Sequence, residues 1–362
     1  MPPNPAPEPR PAISRMHPYE WEPPSASIAR QAGVPEDQVV RFDTNTFPWP
    51  GADLRRLPAM PINEYPDTSY RALTEAIAQY TDAPLDWITV GAGADEVLDM
   101  IAKSFIDGSR SGLLSRPTYP MFRILTEMAG GAVDEVPAID LRLDRQAFLA
   151  QARSAAVTWL ANPNNPTGEL LPLSFVEELA GVAGGVVAID EAYVELSGVT
   201  ALPLIDRMPN VVVIRTLSKA FGLAGVRVGY ALAGPAISAV LRRVRPPGSI
   251  SVVSAALGAQ ALSDLSGMRQ RVQRIIEERT RLQAELGSLG LEVRESAANF
   301  LLVGTGREAG PRLLKDGLVV RTFPPTSPLA EYIRITVRRP EENARLVAAL
   351  RATLATSGST GR

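Results

Sequence analysis

The sequence predicts an α/β protein: a large domain built on a mostly parallel sheet with helices on both faces, plus a smaller α+β domain at the C-terminal end. Three observations carry that expectation. The continuous apolar runs Val157–Ala161, Val186–Ile189 and Val211–Arg215 have the length of strands buried on both faces. Helical stretches separate them, as right-handed βαβ crossovers require. The 362 residues, 45% apolar and 21% charged, suffice for two domains and are too apolar for a disordered chain.

The elements follow in order. Residues 1–12 (MPPNPAPEPRPA) are proline-rich and lack the basic start and apolar core of a signal peptide, so residues 1–40 read as a flexible arm of a cytoplasmic protein. Arg71–Tyr80 is expected to be a helix and Trp87–Val90 a strand. GAGAD is a glycine-rich turn before the helix Glu96–Ile106, in which Val97, Ile101 and Phe105 recur every four residues. With the three strands above, this gives a large domain over residues 41–235. A long helix over Asp264–Leu289 then leads to ANFLLV, an amphipathic helix and EYIRITV, a small domain over 236–362. In the last strand Tyr332, Arg334 and Thr336 share one face, opposite Ile333, Ile335 and Val337.

Composition removes whole classes of function. Basic and acidic residues number 37 and 39, so there is no charge footprint for nucleic acid or an anionic membrane. No apolar run reaches the ~20 residues of a membrane span. The absence of cysteine excludes disulfides, thiolate nucleophiles and thiolate metal sites. The single histidine, His17, leaves no basis for a His-rich metal site or a Ser–His–Asp triad, and no metal is expected.

Amine chemistry has only three candidates, Lys103, Lys219 and Lys315. Lys103 follows Asp99 by four residues on a helix, an ordinary surface pair. Lys315 precedes Gly317 in a last helical turn, where a cation suits the dipole. Lys219 lies in TLSKAFGLAGVRVGY, after a buried strand and among small apolar residues, where an amine loses its proton more easily and can form a Schiff base. Each core strand also ends in polar text: WLA runs into NPNNPTG, AID into EAY and VVVIR into TLSKAF. Ligands of open α/β sheets bind outside the carboxyl ends of the strands, so these clusters converge on one site. Asp190, at a buried strand end, needs a cation or donor, or else caps the next helix. GAGADE offers free N–H groups for a phosphate, provided its acidic side chains point away from that anion. Thr216, Ser218 and Arg227 could serve the same phosphate.

Asn165 in NPNNPTG, Asp190 in DEAY, and Lys219 in SK with Arg227 eight residues later resemble the fold type I pyridoxal-phosphate (PLP) aminotransferases. The resemblance covers residues 41–350. EYPDTSYRAL, RPTYP, DEAYVEL, RTLSKAFGLAGVRVGY and YIRITV look most like the histidinol-phosphate aminotransferases within that group. It implies the PLP-dependent transferase fold, with pyridoxal 5'-phosphate held covalently by Lys219, which then shuttles a proton. Asp190 would pair with the pyridinium nitrogen, Tyr193 and Asn165 would bond the phenolic oxygen, and Tyr119 would stack on the ring. Ala94, Asp95, Thr216, Ser218 and Arg227 would surround the phosphate, joined by Tyr65 from the partner subunit of a homodimer. Arg334 would grip a substrate carboxylate, with Arg321, Tyr19 and Asn45 also at the substrate. The sequence departs from the family's usual text at Thr46, where a glutamate is usual, and at Arg338, where a glycine is. The resemblance implies a ping-pong transaminase taking a small-molecule amino donor, such as histidinol phosphate, and the keto-acid acceptor 2-oxoglutarate. Its alternatives are an aromatic or other biosynthetic aminotransferase, a phosphothreonine-decarboxylase-like enzyme, and a non-catalytic PLP-binding regulator.

Overall fold

A computed structural model describes residues 8–16, 19 and 23–359; His17 lies outside them. The N-terminal part carries α1 (Pro11–Arg15), α2 (Ser25–Ala32) and β1 (Val40–Arg41). The central part runs α3 (Arg71–Thr81), β2 (Ile88–Gly91), α4 (Ala94–Phe105), β3 (Ser111–Arg116), α5 (Pro120–Ala129), β4 (Ala132–Pro137), α6 (Arg145–Ala152) and β5 (Val157–Ala161). It continues with α7 (Leu173–Val182), β6 (Val186–Asp190), α8 (Val194–Ser197), β7 (Val211–Thr216), β8 (Gly229–Ala233), α9 (Pro235–Val244) and α10 (Val252–Ser263). The C-terminal part is α11 (Leu265–Ser288), β9 (Glu292–Val293), β10 (Phe300–Gly304), α12 (Ala309–Lys315), β11 (Leu318–Val319), β12 (Tyr332–Thr336) and α13 (Pro340–Ser359).

Seven strands form one sheet in the order β2-β8-β7-β6-β5-β3-β4, parallel except for β8. Alternation along the strands builds a core on each side. Val157 and Trp159, Val186 and Ala188, and Val212 and Ile214 meet α4, α5 and α9, and Phe122 of α5 stacks on Trp159 at 5.5 Å. Leu160, Val187, Ile189, Val211 and Val213 enter the core on the other face, with residues of α3, α6, α7 and α11. Each fully buried aliphatic side chain contributes roughly 1.5–3 kcal/mol, which makes the sheet a rigid platform. Sequence reading missed β3, β4 and β8. β8 is Gly-Tyr-Ala-Leu-Ala, without a β-branched residue, and tertiary pairing overrides its weak strand preference.

A smaller antiparallel sheet, β12-β10-β9, and a parallel β1-β11 pair carry the C-terminal part. The packing cuts across the boundaries expected at residues 40 and 235. Ile237 and Leu241 of α9 enter the core of α4, and α10 lies along α3, because these apolar faces find uncovered surface on the large domain. At the other end α2 lies on α12, β1 pairs with β11, and α1 packs on α5. We therefore propose a large domain that extends to about residue 263 and a small one that takes in residues 25–41. Among the described residues, no helix is long and apolar enough to cross a membrane.

Candidate active site

Register brings the strand ends to one level. Ala161 lies opposite Asp190, and Asp190 opposite Ile214. The ladder continues past the strands through Asn162 N–H to Asp190 O (2.9 Å) and Glu191 N–H to Ile214 O (2.8 Å). The antiparallel β8 sets Gly229 opposite both Thr216 and Gly91, so the turn before α4 meets the turn after β7. Gly229 has to be glycine: a Cβ there would lie 2.4 Å from the Ala94 nitrogen.

Lys219 reaches back across this edge. Its Nζ donates to Asn45 O at 3.3 Å and lies 5.5 Å above the Tyr193 ring. Burial, with Arg334 adding to it, lowers its pKa to about 8, so a neutral amine is accessible near physiological pH. Lys103 instead pairs with Asp99, and Lys315 sits in the last turn of α12. Asp190 is 7% exposed, and burial pushes its pKa up to about 7. Its Oδ1 accepts the Ala192 N–H at 3.0 Å, while the N-cap position of α8 belongs to Tyr193. Among the described residues Asp190 has no ion-pair partner, so a buried carboxylate waits for a cation.

Beside it lies a cradle for an anion. α4 starts at Ala94 with no side-chain cap among the described residues, leaving first-turn N–H groups for an anion. Gly93, at φ +81°, lets the Arg227 guanidinium in; a Cβ there would lie 2.4 Å from Nη2. Thr216 and Ser218, both buried, bond each other at 2.9 Å. Glu96 turns back to Ala92 N–H at 2.6 Å, away from the cradle. Asp95 does not turn away as the sequence reading required. It accepts from Arg227 Nη2 at 3.1 Å and from the Tyr119 hydroxyl at 2.8 Å, the nearest cation and donor to it. Burial and then Asp95 raise the Tyr119 pKa well above its usual value, so it stays a protonated donor.

The far end is basic. Arg334, 9% exposed, donates from Nη1 to Asn165 Oδ1 at 2.7 Å and from Nη2 to Asp43 O, and its Cζ lies 5.5 Å over the Phe300 ring. Its Nε is buried without a hydrogen-bond partner among the described residues. Arg321 and Arg334 exchange main-chain hydrogen bonds at 3.1 and 2.9 Å as an isolated antiparallel pair, which sends both side chains to one face. Tyr19 lies within electrostatic reach of Arg334 and Tyr119. Asn45 is 2% exposed, with both ends of its amide engaged inside the protein, on Tyr193 and Thr336. Tyr65 is not gathered in; its ring is 95% exposed. Arg338 pairs with Glu342 at 3.0 Å.

Sequence reading missed Asp43, Asn299 and Phe300 as parts of this site. Asn299 Nδ2 donates to Asn45 O at 3.1 Å, and the one polar residue ahead of the apolar run in ANFLLV was the available signal. It also missed a buried brace behind Asp190. Glu191 holds Arg215, Thr200 and the Ala201 N–H, while Tyr80 bonds Glu195, whose pKa burial pushes to about 7.

An aldehyde-bearing pyridine phosphate fits this arrangement: an amine of lowered pKa, a buried carboxylate lacking a cation, and an uncapped helix start beside an arginine that only Gly93 admits. The comparisons point the same way. The family described as aminotransferase class I and II matches residues 46–350. A histidinol-phosphate aminotransferase of Roseiflexus castenholzii is 33% identical, covering 94% of this chain and 97% of its own. One of Thermococcus kodakarensis is 38% identical over 81% of this chain and 84% of its own. The crystal structure of histidinol-phosphate aminotransferase from Sinorhizobium meliloti in complex with pyridoxal-5'-phosphate superposes with a TM-score of 0.86 at 28% identity, covering 96% of this chain and 97% of that one. With a family match over most of its length and relatives above 30% identity nearly end to end, the chain belongs to the class I and II aminotransferases and is a PLP-dependent enzyme.

Proposed function

We propose that this aminotransferase exchanges the amino group of histidinol phosphate with 2-oxoglutarate, in a ping-pong cycle, as a cytoplasmic homodimer. The observation that carries the reading is the pair Arg321 and Arg334, two guanidinium-bearing residues sent to one face across a main-chain bridge. One donor carries a phosphate and no α-carboxylate; the acceptor carries a carboxylate. A pair of arginine forks can take either anion in turn. The names of the relatives support the same substrate.

When bound, PLP supplies an electron sink for the substrate's Cα–H bond. The chain's own residues do the rest. Lys219 would form the covalent link and carry the proton, as a buried amine with a pKa of about 8 can. Asp190 would keep the ring nitrogen protonated, and Tyr119 would cover the ring face. Tyr193 and Asn165 would donate to the phenolic oxygen. The α4 start, through the main-chain N–H groups of Ala94 and Asp95, would hold the phosphate together with Thr216, Ser218 and Arg227, and the partner subunit's Tyr65 would reach it. Tyr19 would complete the substrate end, while Asn45, its amide engaged by Tyr193 and Thr336, stands behind Tyr193 rather than at the substrate. Steady-state rates with histidinol phosphate, phenylalanine and tyrosine test the reading. The phosphorylated amine should win by at least about tenfold in kcat/KM. Its failure to turn over, while an aromatic amino acid does, would move the enzyme to another substrate.

A further inference from the structure

Behind Tyr193 lies a small buried relay, Asn45 and Thr336, that the proposed donation to the phenolic oxygen leaves unexplained. Asn45 Nδ2 donates to the Tyr193 oxygen at 3.0 Å, so that oxygen is already an acceptor. Among the described residues, the Tyr193 proton has no acceptor of its own. The amide is held in this sense from behind. The Asn45 main-chain N–H donates to the Thr336 hydroxyl at 2.9 Å, and the single proton of that hydroxyl is shared between Phe42 O at 2.7 Å and the Asn45 Oδ1 at 3.2 Å. Asn45 adopts φ +53°, a left-handed conformation that asparagine tolerates better than most residues. Thr336 is fully buried. Asn45 and Thr336 thus bridge the β12 strand to the tyrosine without an atom exposed for substrate.

We propose that Asn45 and Thr336 are positioning residues that make Tyr193 a one-way donor, its oxygen filled by the amide and its single proton directed at the phenolic oxygen of the cofactor. This rests on Tyr193 facing that oxygen. A hydrogen bond given to that oxygen draws negative charge onto it and lowers the pH at which the bound chromophore loses its proton. Asn45→Asp reverses the polarity, because a carboxylate accepts the Tyr193 proton and leaves the tyrosine with nothing to give.

The test is the pH midpoint of the visible absorbance of the PLP-loaded protein, without substrate. Tyr193→Phe should raise the midpoint by about one unit, and Asn45→Asp should raise it similarly. In the Tyr193→Phe background, Asn45→Asp should add less than about 0.3 unit. Thr336→Val should give a smaller rise in the same direction, and Thr336→Ser should restore the normal midpoint. An unchanged midpoint in Asn45→Asp, or an equal shift with and without the tyrosine hydroxyl, overturns the proposal. Should Asn45→Asp fail to fold, the Thr336→Val and Thr336→Ser pair decides: a Val midpoint equal to that of the unaltered protein overturns it. A Tyr193→Phe midpoint that does not move instead removes Tyr193 from the phenolic oxygen and leaves the aminotransferase activity standing.

Discussion

Arg334 stands on β12 of the small sheet and Asn165 in the loop after β5 of the large one, yet the guanidinium Nη1 donates to the amide Oδ1 at 2.7 Å. With its oxygen taken, Asn165 has only Nδ2 left to donate, so under the proposed function one arginine would both face the substrate end and orient a donor at the cofactor end. The second guanidinium nitrogen, Nη2, is spent on Asp43 O, and Nε is buried without a partner among the described residues. A planar, multi-point fork is needed to hold all of this at once.

Arg334→Lys therefore loses more than a charge-conserving change suggests. Lysine keeps the positive charge but cannot bond Asn165, Asp43 and a substrate carboxylate together. KM for 2-oxoglutarate should rise about 100-fold and kcat should fall as Asn165 loses its orientation. A variant with unchanged kcat would leave Asn165 independent of Arg334.

Lys219→Ala should abolish both turnover and the borohydride-stable attachment of PLP. Burial is what lowers this amine's pKa, whereas Lys103 is paired with Asp99 on a surface and Lys315 ends a helix. Peptide mapping after reduction locates the label. A label on Lys103 or Lys315 would falsify the assignment.

What could be read ahead of the structure follows from how local each signal is. Lys219, Asp190 and the GAGAD turn stand out because each is a polar break at the end of an apolar run, and a strand end is a local feature. The Asn45–Thr336 bond joins residues 291 positions apart, and no periodicity announces it. Asp95 was misjudged for a related reason. Nothing in GAGADE reveals that Arg227, 132 residues later, arrives across Gly93 and draws the carboxylate in. The strand β8 was missed because glycine and alanine carry little strand preference, and its place is set by Gly91 and Thr216 on either side.

Asp190 should cost the cofactor-free protein stability at the pH where the enzyme works. Its carboxyl is pushed from 3.8 to about 7 by burial, so between those values the folded chain keeps a proton that the unfolded chain has released. Stability from this group is thus complete below pH 4 and is lost as pH rises through about 7. Asp190→Asn keeps the bond to Ala192 N–H and removes the charge. It should stabilise the cofactor-free chain by about 2 kcal/mol at pH 8 and by almost nothing at pH 4, while lowering turnover more than about 100-fold. Thermal unfolding at the two pH values checks the sign; equal changes at both would remove ionised Asp190 as the cause.

Tyr65 gives the proposed homodimer its sharpest test. Tyr65 is 95% exposed in one chain and so is accessible to a second subunit. If it reaches the phosphate of the partner's site, Tyr65→Ala should weaken PLP binding about tenfold, and Lys219→Ala should be inactive. Mixing the two variants under conditions that exchange subunits creates dimers in which one site has a native lysine from one chain and a native tyrosine from the other. High-affinity PLP sites should then reappear at about a quarter of the native number, the fraction expected from random pairing in a two-fold dimer. The lysine-free variant adds no covalent site of its own, so high-affinity PLP that borohydride fixes to the chain must come from the shared geometry. Its absence, with subunit exchange demonstrated, would return Tyr65 to the surface of its own chain.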